Sequence, residues 1–372
     1  MEIKQQAQRS INNAVFVLLL ILLSCFGAFA QSDSIQSASP EVKFSGFADI
    51  FYAYDFNEQA GNSRQPFFYN HNRHNEFNLN LALLRAAITH TKYRGAIALQ
   101  AGTYASDNYA AEDNLLQHVF EANAGVALNT KGNLWLDAGI FGSHIGFESA
   151  ISMDNSTLTR SILAENSPYF LSGAKVTYTP NDNWALSAII CNGWQRIKRV
   201  EGNSRLSYCT QVSYTNGDTY TLNWSTFAGT DDPDTTRRMR YFNNLYGKFQ
   251  LTKNFALTTG FDIGIQQKYK GSSSYNLWYS PVVIARYQLN QNWATAARAE
   301  YYSDKNGVII AVPEGFKTSG ASVNLDYTPA KSIICRAEAR WLKSNNKIYV
   351  KDNQLVKDNF FLAGSIAFGI NR

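Results

Sequence analysis

The chain has 372 residues, 17% charged and 14% aromatic, with 24 glycines, 8 prolines and a formal net charge of +5. That length suits two ordinary soluble domains or one large barrel, and so mild a charge without a basic cluster excludes a nucleic-acid partner. The mean hydropathy is slightly negative, which excludes a bundle of apolar helices but not a β-barrel, where only alternate residues need be apolar.

Lys4 and Arg9 precede an apolar run, Ala14–Leu23, and Ala28-Phe29-Ala30 stands before Gln31. This is the pattern of an export signal peptide over residues 1–30. Its apolar run is too short to span a bilayer. Leu22-Leu23-Ser24-Cys25 also resembles a lipoprotein processing site, and that alternative stays open. Without residues 1–30 the net charge is +4. Residues 31–43 read as a short polar, disordered lead-in, and residues 44–372 as one barrel domain. Three cysteines remain, Cys191, Cys209 and Cys335. Cys191 and Cys209 flank one expected outer loop and could be linked; otherwise all three are small strand residues.

The first strand reads FSGFADIFYAYDF, Phe44–Phe56. After it one device recurs: LNTKGNLWLDAG, YTPNDNWALSA, FQLTKNFALTTG, YQLNQNWATAARAEYY and YTPAKSIICRA. In each, an aromatic or apolar residue enters, a few turn residues follow, and a large apolar residue usually leaves. Self-similarity at near-constant spacing marks a repeated unit, here a β-hairpin. Beyond the turns the residues alternate. Phe255, Leu257, Phe261, Ile263 and Ile265 share one face, while Asp262 lies on the other. Ile333, Cys335, Ala337, Ala339 and Trp341 oppose Arg336, Glu338 and Arg340. Charge in mid-strand opposite an apolar face suits a wall between lipid and a wet lumen better than a soluble sandwich.

Seven short turns are expected, near Thr91–Arg94, Thr130–Asn133, Pro180–Asn183, Asn216–Asp218, Thr252–Asn254, Asn290–Asn292 and Thr328–Lys331. With Phe44–Phe56 before them and Asn359–Ile370 after, they give an antiparallel up-and-down transmembrane β-barrel of about 16 strands. The even count places both ends of the barrel on the short-turn, periplasmic side. Aromatic residues collect in two belts, as membrane interfaces favour. Trp135, Tyr178, Trp184, Phe249, Phe255, Tyr287, Trp293 and Tyr327 lie at the short-turn rim. Tyr104, Phe141, Trp194, Trp224, Tyr301 and Trp341 lie toward the long loops.

The third outer loop, Gly142–Tyr169, is the longest and carries Ile145, Phe147, Ile151, Met153, Leu158, Ile162 and Leu163. Long loops in compact folds are functional or disordered, and apolar content argues for the former. It is expected to fold inward, narrow the lumen and present Glu148, Arg160 and Glu165. The wall adds Asp262, Arg298, Glu300, Arg336, Glu338 and Arg340 as pore-lining candidates. Asp49, Asn78, Asn80, Lys175, Arg205, Lys248, Arg286 and Asp326 fall on the same inward set. Interleaved Arg and Glu either bias ion passage or pair across strands and stiffen the wall. Arg85 follows Leu83 on the face assigned to lipid, which signals a bulge in the second strand or a register one residue off.

The segments FSGFADIFYAYDFN, FGSHIGFES and TRSILAENSPYFLSGAKVTYTPNDNWALSAIICNGWQ resemble the OmpL-like β-barrel porin family of Gram-negative outer membranes. The resemblance extends over most of the chain beyond residue 30 and is most specific over Phe141–Gln195. It implies an outer-membrane barrel and passive passage of small hydrophilic solutes, with no catalytic motif to carry over. Outer-membrane lipid and lipopolysaccharide would surround it, and the barrel-assembly machinery would insert it. Many such barrels end on an aromatic residue, whereas this chain ends Phe368-Gly369-Ile370-Asn371-Arg372. A homotrimer is compatible with a barrel of this size, and no residue pattern requires it.

Other chemistries find little support. His71-Asn72-Arg73-His74 lacks a third ligand for a metal. Asp231-Asp232-Pro233-Asp234 suits a solvated acidic turn better than a calcium loop. No phosphate-binding loop, Ser/His/Asp spacing or cofactor motif is present, and no Ser–His pair lies on the lipid face. The competing readings are an open porin and an occluded structural or adhesive barrel.

Overall fold

The computed structural model describes residues 39–58 and 61–371. The expected signal peptide with Cys25, residues 31–38 of the lead-in, and Arg372 lie outside the described residues. The strands are β1 Glu41–Asp55, β2 Phe77–Thr89, β3 Tyr93–Ala101, β4 Val119–Ala127, β5 Leu134–Gly142 and β6 Phe170–Tyr178. They continue as β7 Trp184–Cys191, β8 Ser207–Asn216, β9 Tyr220–Gly229, β10 Arg240–Gln250, β11 Phe255–Gln267 and β12 Tyr275–Gln288. Then come β13 Trp293–Asp304, β14 Phe316–Ala330, β15 Ile333–Ser344, β16 Tyr349–Lys351, β17 Gln354–Val356 and β18 Asp358–Ile370. Sixteen of these close into one barrel in chain order, with β18 between β15 and β1; β16 and β17 form a separate hairpin.

The expected repeat has a shared chemical cause. The Asn290 side-chain oxygen accepts the amides of Asn292 and Trp293 at 3.0 and 3.1 Å. Asn181 does the same for Asn183 and Trp184, and the Thr252 hydroxyl for Asn254 and Phe255. A short polar side chain thus satisfies turn amides that the ladder has released. The last turn is later than expected, because β14 runs through Ala330 with a register shift between Tyr327 and Ala330. The lead-in also ends earlier, since Glu41, Val42 and Lys43 pair with Thr89, Ile88 and Ala87. A backbone so paired is not disordered.

The eight long connections, numbered loop 1 to loop 8, occupy residues 56–76, 102–118, 143–169, 192–206, 230–239, 268–274, 305–315 and 345–357. Short helical turns sit within them: α1 Thr103–Asn108, α2 Asn114–Gln117 and α3 Ile162–Glu165. Loop 8 contains the β16–β17 hairpin.

Leu84, Ile97, Val323 and Ile366 are exposed on the outer face, while Asp49, Asn244, Asp326 and Arg340 are buried on the inner one. Arg85 belongs to the inner face. The β1–β2 register shifts between Asp49 and Ile50, which pair with Leu81 and Leu79. Asn80 is the extra residue of a bulge. Beyond it the side chains exchange faces, so Leu81, Leu83 and Arg85 point inward. Arg85 there meets Glu121 at 2.7 Å.

The belts need a correction as well. Tyr104 and Phe141 are buried, Trp194 packs against Phe227 and Phe242, and Trp135 lies under Arg94. These four serve the interior; Trp224 and Trp341 remain on the exposed face. One close approach depends on glycine. Gly264 pairs with Trp278, and a Cβ there would collide with the indole. The ring covers the bare backbone, as an aromatic across from a strand glycine commonly does.

Candidate functional site

Loop 3 runs among the inward side chains of the wall. Ser225 donates to the His144 carbonyl at 2.7 Å, and the Gly146 amide donates to Asn244 at 3.1 Å. Arg336 donates to the Ser152 and Asn155 carbonyls. The Leu158, Thr159 and Ile162 amides donate to Asn324, Glu338 and Glu300 at 2.9, 2.6 and 2.7 Å. A loop removed from water must find such partners for its backbone, and the charged wall provides them. On a further side, Ala150, Ile151 and Met153 pack with Phe47, Leu81, Leu83, Ala98, Ile334 and Ala367. The face exchange at Asn80 is what turns Leu81 and Leu83 toward this contact.

Five of the expected pore residues form one network. Arg298 reaches Glu338 at 2.8 Å, Glu300 at 3.4 Å and Glu148 at 4.0 Å, and Arg340 reaches Glu300 at 2.5 Å. Arg298 also donates to the Thr159 carbonyl, and Arg340 to that of Arg160. Glu148 accepts from the Ser161 amide and hydroxyl. Arg160 pairs with Glu165 at 3.1 Å and lies 3.5 Å from the centre of the Tyr169 ring. Arg336 pairs with Asp326, which also holds Arg286. Asp262 stands apart, bonded to Asn244. All nine candidates are buried and face chiefly one another and the loop, with Glu148 and Glu165 also bordering cavities.

Ser161 caps α3 by accepting the Ala164 amide, the standard role of a serine at that position. The turn brings Ile162 onto Glu300 and returns Glu165 to Arg160. Glu165 also accepts the Tyr69 amide of loop 1 at 2.8 Å. Loop 1 therefore shares the interior, which sequence reasoning missed. Its Phe67 and Phe68 are buried, Arg64 lies 3.5 Å from the Phe361 ring centre, and His71 meets Asp49 at 2.9 Å. The Phe67-Phe68 pair inside a polar loop was the available signal.

The more exposed charged groups lie mostly outside this network. Two cavities, about 400 and 540 Å³, open on the short-turn side of the wall. The smaller has Lys248 at its edge; the larger has Lys43, Lys175 and the pairs Arg85–Glu121 and Arg94–Asp137. Arg205 is exposed in loop 4, outside the strands.

The weaker motifs also find places. His74 accepts the Asp55 amide. Asp231 pairs with Arg240, Asp232 with Arg238 and Asp234 with Arg237. Burial raises the Asp231 carboxyl above its ordinary range, with Arg240 opposing the shift. Cys191 and Cys209 are free thiols with sulfurs 3.9 Å apart.

A model of the family described as "Putative beta-barrel porin-2, OmpL-like" matches residues 41–370. No curated relative matches the chain. Among solved structures, an anion-selective porin from Comamonas acidovorans aligns with a TM-score of 0.61 at 10% identity, covering 89% of this chain and 100% of that one. The outer-membrane channel DcaP of Acinetobacter baumannii gives 0.59 at 13%, with 89% and 98% covered. OmpF of Salmonella typhi, solved in complex with daunomycin, gives 0.58 at 11%, with 90% and 100% covered. At such identities the likeness is one of fold.

Proposed function

Since this chain belongs to the OmpL-like β-barrel porin family, we propose that it is an outer-membrane porin passing small hydrophilic solutes or ions by diffusion. In this reading residues 1–30 direct export and are removed, and the assembly machinery inserts residues 44–372, with Glu41–Lys43, among lipid and lipopolysaccharide. Copies associate as a homotrimer.

The observation that carries the reading is loop 3 laid inside a closed barrel and fastened to its wall. A loop so placed sets the width of whatever passage remains. Its fastening is also its function in the network: Arg298, Glu300, Glu338 and Arg340 hold the loop, and the charges near water act on the solute. Charge at a constriction biases ion passage, but only where ions approach it.

The test is reconstitution of pure, folded protein into planar bilayers. Stepwise conductance is expected, and its complete absence would sink the porin reading. The depth to which loops 1 and 3 are buried favours a second reading, an occluded structural or adhesive barrel. A barrel silent as wild type and equally silent when Arg298→Ala loosens loop 3 would select it.

A further inference from the structure

One cavity at the edge of the buried site, bordered there by Glu165, draws its wall from six different long loops. Its volume is about 310 Å³, at the lower end of the range of about 300–1,000 Å³ typical of small-molecule sites. Tyr69 comes from loop 1, Asn108 from loop 2, Asn166 from loop 3, Trp194 from loop 4, Asp231 from loop 5 and Ile309 from loop 7. Connections so far apart in sequence meet only at the mouth they surround.

The carboxylates of this wall are already neutralised. Asp107 pairs with Arg73 at 2.7 Å, Glu165 with Arg160 at 3.1 Å and Asp231 with Arg240 at 3.7 Å. The Trp194 indole N–H, the Tyr69 hydroxyl and the Arg196 guanidinium make no hydrogen bond among the described residues. All three side chains are partly exposed. Trp194 is nonetheless held in place. Its amide donates to Asp231 at 2.9 Å, and Phe227 and Phe242 meet its ring edge-on at 5.0 and 4.9 Å. A rigid aromatic costs little further entropy when a ligand settles on it.

We propose that this vestibule binds neutral sugars at the mouth of the barrel. The proposal rests on the porin reading and names the solute class for it. A sugar ring has apolar C–H faces that suit Trp194 and Tyr69, and hydroxyls that both donate and accept. Amide, carboxylate and guanidinium groups around the cavity supply both roles. With each wall carboxylate already paired to an arginine, the cavity offers hydrogen-bonding groups rather than a charge that demands an opposite one, and the Arg196 guanidinium is left to donate to a hydroxyl.

The experiment is equilibrium dialysis of radiolabelled sucrose against the folded full chain in detergent, with the same preparation in planar bilayers. Saturable binding in the millimolar range is expected, weakened tenfold or more by Trp194→Ala and unchanged by Trp224→Phe on the lipid face. If Trp194→Ala fails to fold, Tyr69→Phe and Arg196→Ala carry the test, each expected to weaken binding several-fold. No saturable sucrose binding, binding indifferent to these substitutions, or binding of succinate in its place overturns the proposal. Conductance without sucrose binding sinks this proposal alone; sucrose binding without conductance supports the site and sinks the porin reading instead.

Discussion

At the scale of single residues, the decisive distinction is between charges that hold the protein together and charges that meet the solute. Arg298 has a side chain with no exposure and three carboxylate neighbours. Removing one partner of a buried ion pair leaves the other uncompensated and costs about 3–5 kcal/mol. Arg298→Ala is therefore expected to lower the unfolding midpoint in urea by that equivalent, read from the heat-modifiable band on gels. Arg340→Lys keeps the charge but loses the fork that spans Glu300 and the Arg160 carbonyl. It should weaken the fold and leave ion preference nearly unchanged. Lys248→Glu should do the reverse: a reversal potential shifted toward cations in a salt gradient, with stability within about 0.5 kcal/mol of wild type. A clear selectivity shift from Arg340→Lys would contradict this division. Alternation in the sequence put these arginines on the inner face. It could not tell a paired inner charge from a wet one, because what closes these ion pairs off from water is a loop more than a hundred residues away, whose backbone carbonyls share the arginines with the wall carboxylates.

At the scale of elements, the second strand shows what a period of two conceals. Asn80 adds one residue, composition hardly changes, and every side chain beyond it changes face. Arg85 was the only local sign. Deleting Asn80 should return Leu81, Leu83 and Arg85 to the lipid side, where an arginine near the bilayer midplane costs about 2–4 kcal/mol. Loop 3 would lose its apolar partners at the same time. Folded protein should be nearly absent from vesicle-refolding assays of this deletion, whereas Asn80→Ala, which keeps the bulge, should fold in good yield. The turns were legible for the opposite reason. Asn181, Thr252 and Asn290 act within their own few residues, so their chemistry is written locally. Loop 1 was not legible, since Phe67 and Phe68 declare themselves apolar without saying what they will meet.

At the scale of the whole molecule, the wall is uneven. The strands β3 to β6 have 9 residues each and β7 has 8, while β11 and β18 have 13 and β14 has 15. At about 3.3 Å per residue and a tilt of about 45°, nine residues rise about 21 Å and thirteen about 30 Å, against an apolar band of about 25 Å. The low side falls furthest short of the band, so if copies associate as proposed above, this is where they are expected to meet. A cysteine at Ile97, exposed on β3, should cross-link between copies in native membranes, while one at Val283, exposed on β12, should not. Equal cross-linking at both positions would remove this assignment. The number of strands and the handedness of inside and outside followed from the sequence, because each depends only on a pattern repeated along the chain. The difference in height did not, since it depends on where each ladder stops.

The barrel is sealed where β1 meets β18, with ten residue pairs from Gly46–Ile370 to Asp55–Phe361. That seam joins positions more than three hundred residues apart, so closure carries the largest loop-entropy cost of any contact in the wall. Until the final strand emerges, the growing sheet has two bare edges ready to pair with any other chain. Contacts of such sequence separation form late, and chains that depend on them fold slowly and aggregate on the way. On the export route proposed above the polypeptide would travel unsealed, and trimming β18 should yield insoluble chains rather than a fifteen-stranded ring.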